Sequence, residues 1–137
     1  MVCPAFPTAG RTVYQGQLFV GGVLPSESSM RHHPLNPMTD SVLRRWLALQ
    51  LRDPVGFVPW QIVRSGADAI RAALGEAAES SQTLIVVDAT EEENLLAIGW
   101  ACADAPLITG GFGIAIGLAA NVAPIGGEIN PPGTGLG

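Results

Sequence analysis

The stretch MRHHPLNPMTDSVLRRWLALQL, at positions 30–51, joins a stiff loop to the start of a helix. Pro34 and Pro37 have no amide donor and push the residues before them into extended conformations, so the first half is not helical. In the second half, Thr39 or Asp40 is predicted to cap a helix. Apolar residues then recur on one face of that helix, at Leu43, Trp46, Leu47 and Leu51.

The loop carries Arg31, His32 and His33 to the predicted helix N-terminus, where unpaired amides and the helix dipole favour an anion. Two interpretations stay open. In one, the loop binds an anion. In the other, the prolines only shape a connection and the histidines are solvated. A metal site is disfavoured, because adjacent histidines on an extended backbone point to opposite sides and no third ligand is suitably spaced.

Composition indicates one packed domain. The 137 residues are 47% hydrophobic and 14% charged, which is typical of a globular chain rather than a disordered one. The net charge is −5 and the seven basic residues form no run, so neither nucleic acid nor a membrane is expected as a partner. We recognise no signal peptide and no apolar run of membrane-spanning length. Cys3 and Cys102 are too few for a disulfide framework, so a cytoplasmic location is expected.

The remaining pattern alternates strands with helices. Apolar strands are predicted at 55–58, 84–87 and 107–109. Each is followed by a helix: one capped by Ser65, one beginning with a capping box at Thr90, and one from about 112 to 120. This alternation favours a mostly parallel, Rossmann-like sheet with flanking helices.

The N-terminal part has a different pattern. A short strand is predicted before Pro7, and the strand-like segments 12–14 and 18–20 lie on either side of Gly16. Gly21 and Gly22 form a second tight turn. We therefore predict an α/β fold with a β-hairpin near the N-terminus.

Glycine and proline dominate the end of the chain. We predict a domain over residues 1–120 and a Pro/Gly-rich linker over 121–137, since the linker segment shows no helix or strand period.

Ligands of open parallel sheets bind beyond the carboxyl ends of the strands. That rule selects Asp88 and the segment Thr109-Gly110-Gly111. Asp88 has two possible roles: it accepts hydrogen bonds from substrate hydroxyls, or it bonds the amides of Thr90 and Glu91. The structural role is slightly favoured.

The glycines at 111–117 resemble a nucleotide-binding loop, with the third glycine one position late. A dinucleotide site also needs a following strand that ends in an acidic residue, and none follows. We therefore predict that these glycines allow close helix packing, while Thr109 to Gly111 lend amides to an anion. A nucleotide-binding enzyme ranks far behind as an interpretation.

Several motifs occur together: Ala5-Phe6-Pro7, GRTVYQG at 10–16, LFV at 18–20, HHPL at 32–35, PMTDS at 37–41 and TGG at 109–111. In this combination the chain resembles the four-carbon acid sugar kinases, and among them the 3-oxo-tetronate kinases. The likeness extends to about Leu118. The likeness favours the interpretation in which the stretch at 30–51 binds a ligand over the one in which it is only a connection.

The resemblance implies an ATP- and Mg-dependent kinase of two domains that phosphorylates the terminal hydroxyl of a four-carbon sugar acid. The family's opening strand, with paired aspartates, would precede Met1, and its nucleotide-binding domain would follow Gly137. Phe112 stands where relatives usually carry a serine. We therefore expect a partial sugar-binding domain with no catalytic or metal-binding residues, which binds no ATP or Mg by itself.

The resemblance also implies which residues hold the sugar acid. Arg11, Arg31, His32 and His33 would bind its carboxylate and hydroxyls, with Thr39, Asp40 and Ser41 near the helix N-terminus. Asp88, Thr109, Gly110 and Gly111 complete the predicted set. A second interpretation is a non-catalytic module that binds an anion or sugar acid, or that serves assembly. A homo-oligomer is expected because uncovered sheet edges and helix faces recruit neighbours.

Overall fold

A parallel four-stranded sheet organises the fold in the computed structural model, which describes residues 1–121. Its strands are Val2–Cys3 (β1), Val55–Val58 (β4), Leu84–Val87 (β5) and Thr109–Gly110 (β6), in the order β4-β5-β1-β6. The antiparallel hairpin consists of Arg11–Tyr14 (β2) and Gln17–Val20 (β3). The helices are Leu43–Ala48 (α1), Trp60–Val63 (α2), Ala67–Glu79 (α3), Glu92–Ala101 (α4) and Phe112–Ala119 (α5). The predicted fold class is confirmed.

Strand β5 is apolar on both faces, and Val86 and Val87 are fully buried, as expected inside a parallel sheet. The short strand β1 lies beside it, with Val2 opposite Val86 on one side and Thr109 on the other. The predicted strand at 107–109 begins two residues later, at Thr109.

Helices α4 and α5 approach each other closely because their contact is made of glycine. A Cβ on Gly117 would overlap the carbonyl oxygen of Leu95, and one on Gly99 would overlap the carbonyl oxygen of Gly117. Gly113 is held in the same way against the Ala5 carbonyl oxygen. The predicted close packing is confirmed for Gly113 and Gly117, whereas Gly111 has no contact of this kind and the role of Gly99 was not predicted.

The prediction for α1 was wrong in its start and its length. The helix begins at Leu43, after Val42, and has six residues, so Leu51 lies beyond it. Val42 stays extended because it forms an antiparallel bridge to Gln17, and the Asp40 carboxylate accepts a hydrogen bond from its amide.

Two other helix starts move by one residue. Gly66, not Ser65, precedes α3, and Glu91, not Thr90, is the N-cap of α4. Asn94 is the third helical residue in the observed capping box, and its Oδ1 accepts hydrogen bonds from the amides of Thr90 and Glu91. Helix α2, which follows Pro59, was not predicted.

The hairpin joins two separate parts of the molecule. Val13 exchanges backbone hydrogen bonds with Ala89, just after β5, and Leu18 donates to the carbonyl of Ser41, just before α1. At its turn, Gln15 and Gly16 both have positive φ, +50° and +71°, as in the tight turns that match strand twist. The hairpin therefore fixes where the segment leading into α1 lies. Of the predicted linker, residues 122–137 lie outside the described residues.

Candidate functional site

The segment from Ser26 to Val42 connects β3 to α1, and most of its residues are exposed; we call it the exposed loop. A single turn of 3₁₀ helix, Ser29–His32, presents Arg31 and His32 to solvent, and His33 follows it. Ser28 caps this turn through its side chain. Arg31 donates from Nη1 to the carbonyl oxygen of Ser26 at 3.2 Å, and the three side chains stay exposed.

His33 also shapes the loop. Its Nδ1 accepts hydrogen bonds from the amides of Leu35 at 3.3 Å and Asn36 at 3.0 Å. A neutral ring that accepts at Nδ1 carries its proton on Nε2. Only Nε2 is therefore left to donate to a ligand.

Asp40 is engaged by protein groups. Its carboxylate accepts from the Arg45 guanidinium at 2.6 and 2.7 Å and from the Val42 amide at 2.9 Å. The hydrogen bonds from Arg45 lower the pKa of Asp40 to about 2. Thr39 beside it is exposed. At the start of α1 the Asp40 carboxylate already uses the Val42 amide, and α1 has only six residues, so this helix offers fewer free amides to an anion than the sequence indicated.

Ser41 faces the interior instead of a ligand. It is 3% exposed; its Oγ accepts from the Ser26 amide at 3.1 Å and lies 2.9 Å from the Ser26 Oγ. Ser41 therefore holds the two ends of the exposed loop together.

Asp88 is fully buried, and three backbone amides use its carboxylate. Oδ1 accepts from Gly16 at 2.9 Å, while Oδ2 accepts from Gln15 at 2.8 Å and Trp60 at 3.0 Å. Burial raises the pKa of Asp88 by more than these hydrogen bonds lower it. The structural role was the correct interpretation, but the predicted amide partners were wrong.

We call the remaining predicted residues the second group: the segment Thr109 to Gly111, where β6 ends, and Arg11, which begins β2. Thr109, Gly110 and Gly111 are exposed there, and Arg11 lies at the start of β2, bridged to Phe6. Within residues 1–121, no hydrogen bond or ion pair joins Arg11 to the loop that carries Arg31.

Two features were missed in the sequence. Glu92, in the first turn of α4, accepts hydrogen bonds from the Thr8 amide at 3.0 Å and from the Thr8 hydroxyl, which ties the segment after β1 to α4. The second is a cavity of about 460 Å³ between β1, the proline-rich loop and α1. Its lining is almost entirely apolar: Val2, Pro4, Leu35, Asn36, Pro37, Met38, Leu43, Trp46 and Leu47. The apolar face predicted for α1 was the sequence signal that could have indicated this cavity, because its residues Leu43, Trp46 and Leu47 line it.

In the described residues, the glycines at 111–117 do not form an open nucleotide-binding loop. Gly113 and Gly117 are occupied in helix packing rather than left open around a phosphate group. Among residues 1–121, no cluster of three His, Cys, Asp or Glu side chains can hold a metal ion. In the same residues, no helix is both long enough and apolar enough to span a membrane.

Residues 1–118 match the family described as a sugar-binding N-terminal domain. The chain belongs to this family. A curated 3-oxo-tetronate kinase from Escherichia coli is 49% identical over 116 residues, covering 85% of this chain and 30% of the relative. One from Pseudomonas fluorescens is 46% identical over 121 residues, covering 88% of this chain and 28% of the relative. The chain thus spans less than a third of the length of these kinases.

Solved structures of other proteins contain a similar fold. A Haemophilus influenzae protein superposes with a TM-score of 0.84 at 39% identity, covering 87% of this chain and 29% of that protein. A Bordetella bronchiseptica protein superposes with a TM-score of 0.65 at 28% identity, covering 86% of this chain and 28% of that one. It was solved as a domain-swapped dimer with bound citrate.

Proposed function

We propose that this sugar-binding domain holds the four-carbon sugar acid of a 3-oxo-tetronate-type kinase. The observation that carries the proposal is the 49% identity to a 3-oxo-tetronate kinase over most of the chain. The exposed loop supports it, because it presents Arg31, His32 and His33 together without a carboxylate partner among residues 1–121.

In this proposal the Arg31 guanidinium pairs with the sugar carboxylate, and the Nε2 of His33 donates to a hydroxyl. His32 and Thr39 are further donors from the same exposed loop. Arg11 and the amides of Gly110 and Gly111 belong to the second group and contact the other end of the substrate, whereas the Thr109 amide already donates to the Met1 carbonyl at 3.0 Å. Hydrogen bonds between charged partners contribute roughly 1.5–3 kcal/mol each, so one arginine dominates the affinity.

The domain would act by binding and orienting the sugar acid. Transfer of a phosphoryl group from Mg·ATP to the terminal hydroxyl needs groups that hold Mg²⁺ and the phosphates. In this proposal a nucleotide-binding domain of the longer relatives supplies them, since Gly113 and Gly117 are used in helix packing here. The chain alone is expected to bind without catalysing.

Calorimetric titration with erythronate, threonate and their 3-oxo forms tests the proposal. We expect binding by the parent chain, and a loss of affinity on the order of tenfold to a hundredfold for Arg31→Ala. Arg11→Ala tests the second group, and Arg52→Ala, at an exposed position outside both groups, is the control. If the parent, Arg11→Ala and Arg31→Ala bind with equal affinity, the binding site includes neither arginine and the proposed site is wrong.

A second candidate is a non-catalytic anion-binding or assembly module. The citrate-bound, domain-swapped dimer of the Bordetella relative favours it, since citrate is also a carboxylate. Exposed apolar side chains on α4 and α5 favour a homo-oligomer: Leu96, Trp100, Phe112 and Ile116. For either candidate we propose a cytoplasmic location, which agrees with two free buried thiols, Cys3 and Cys102.

A further inference from the structure

We infer that Asp88 is a positioning residue, which holds the exposed binding loop in place through the hairpin. This inference rests on the proposed function of that loop. Asp88 itself is fully buried within the fold, and its carboxylate touches backbone amides only, so it acts on a ligand through other residues.

The first step runs from Asp88 to the hairpin turn. Its carboxylate accepts from Gln15 and Gly16, the two turn residues with positive φ, and from Trp60 at the start of α2. Gln15 is a non-glycine residue in the left-handed region, where a conformation persists only when its surroundings determine it. Asp88 therefore fixes the hairpin turn against the carboxyl ends of β4 and β5.

The second step runs from the turn to the segment before α1. The carbonyl of Gly16 accepts from the Leu43 amide at 2.9 Å, and the amide of Leu18 donates to the Ser41 carbonyl at 3.0 Å. The same turn that Asp88 holds thus fixes both the first residue of α1 and the end of the exposed loop.

The third step reaches Arg31. Ser41 bonds both the amide and the hydroxyl of Ser26, and the carbonyl of Ser26 accepts from the Arg31 guanidinium at 3.2 Å. Hydrogen bonds and short backbone segments thus connect Asp88 to Arg31 through Gly16, Ser41 and Ser26. We name this set the positioning relay.

The relay explains why two polar residues of the predicted site are buried. Asp88 is fully buried and Ser41 is 3% exposed, so neither side chain reaches a sugar, yet each holds backbone groups that the loop needs in one position. Side chains that bind a ligand must be held to within a fraction of an ångström, and they depend on such support. A loop alone would leave its side chains in many positions.

Amide hydrogen exchange on Asp88→Asn tests the relay without a ligand. An amide side chain offers one acceptor oxygen in place of two, so a direct partner is lost. We expect exchange to rise on the order of tenfold at Leu43, Leu18 and Ser26, beyond the direct partners, while Ile70 in α3 stays protected. Asp68→Asn, an exposed carboxylate on α3, is the matched control.

Two outcomes of the Asp88→Asn experiment would overturn the inference. If exchange rises only at Gln15, Gly16 and Trp60, Asp88 holds its direct partners and nothing further. If Ile70 rises equally, the role is general stability. If Asp88→Asn does not fold, Ser41→Ala interrupts the relay between Ser41 and Ser26. The Ser26 amide should then exchange faster, while the Gly16 amide should not. Unchanged exchange at Ser26 would overturn the relay.

A mutant cycle links the relay to binding. With threonate or erythronate as the probe, we expect Asp88→Asn to weaken binding, and the double variant with Arg31→Ala to bind no more weakly than Arg31→Ala alone. Additive losses would mean that Asp88 does not act through Arg31. If the parent chain binds neither acid, the proposed function fails, and the exchange experiment still decides the relay.

Discussion

At the scale of single residues, the same side-chain type serves different purposes according to its surroundings. Asp40 lies at the surface and pairs with Arg45, whereas Asp88 is buried and accepts only backbone amides. The pKa of Asp40 is lowered by its hydrogen bonds, and the pKa of Asp88 is raised by burial. His33 likewise uses one ring nitrogen to hold the loop and leaves the other for a ligand.

The Asp40–Arg45 pair predicts a pH dependence. Because the pKa of Asp40 is lowered from 3.8 to about 2 on folding, its contribution to stability is fully present above pH 3.8 and is lost as the pH falls through 2. Urea unfolding of the parent and Asp40→Asn at several pH values should show a small difference near neutral pH that vanishes toward pH 2. A small size is expected, since exposed ion pairs contribute little. Asp68→Asn controls for the charge change, and a difference that grows in acid would contradict the assignment.

At the scale of elements, α4 and α5 approach each other closely at their glycines. Gly99 and Gly117 have no space for a Cβ, because a carbonyl oxygen of the facing helix lies there. Gly75, on α3, has nothing within 4 Å of the position of a Cβ. The sequence shows all three as helical glycines of equal appearance.

These glycines predict opposite effects of one substitution. Gly117→Ala should destabilise the fold by on the order of 1–3 kcal/mol, because helix α5 must move away from Leu95. Gly75→Ala should stabilise it by roughly 0.5–1 kcal/mol, because alanine costs less backbone entropy in a helix. Urea unfolding of both variants measures the difference. Equal effects would show that the α4–α5 contact tolerates a methyl group.

At the scale of the whole molecule, the hairpin connects the sheet to the loop, and α4 and α5 leave apolar side chains in solvent. Phe112 is 84% exposed and Trp100 is 54% exposed. Both lie on neighbouring helices that pack closely together.

We propose that a second copy of the chain covers the exposed apolar side chains of α4 and α5. Light scattering should give a mass of about twice 14.2 kDa for the parent chain, and a smaller mass for the double variant Trp100→Ser, Phe112→Ser. Leu49→Ser, at an apolar residue that is 79% exposed on another part of the surface, should leave the mass unchanged. A monomeric parent at high concentration would contradict the proposal.

The sequence by itself determined the alternation of strands and helices and the hairpin, because hydrophobic period and turn residues act over a few positions. It also carried the family likeness, which the match over residues 1–118 confirmed. Only the tertiary structure decided what Asp88 and Ser41 do. The partners of Asp88 include Gly16, 72 positions away, and the partner of Ser41 is 15 positions away. Local pattern does not encode such pairings, because they exist only once the hairpin has docked on the end of β5 and buried both side chains.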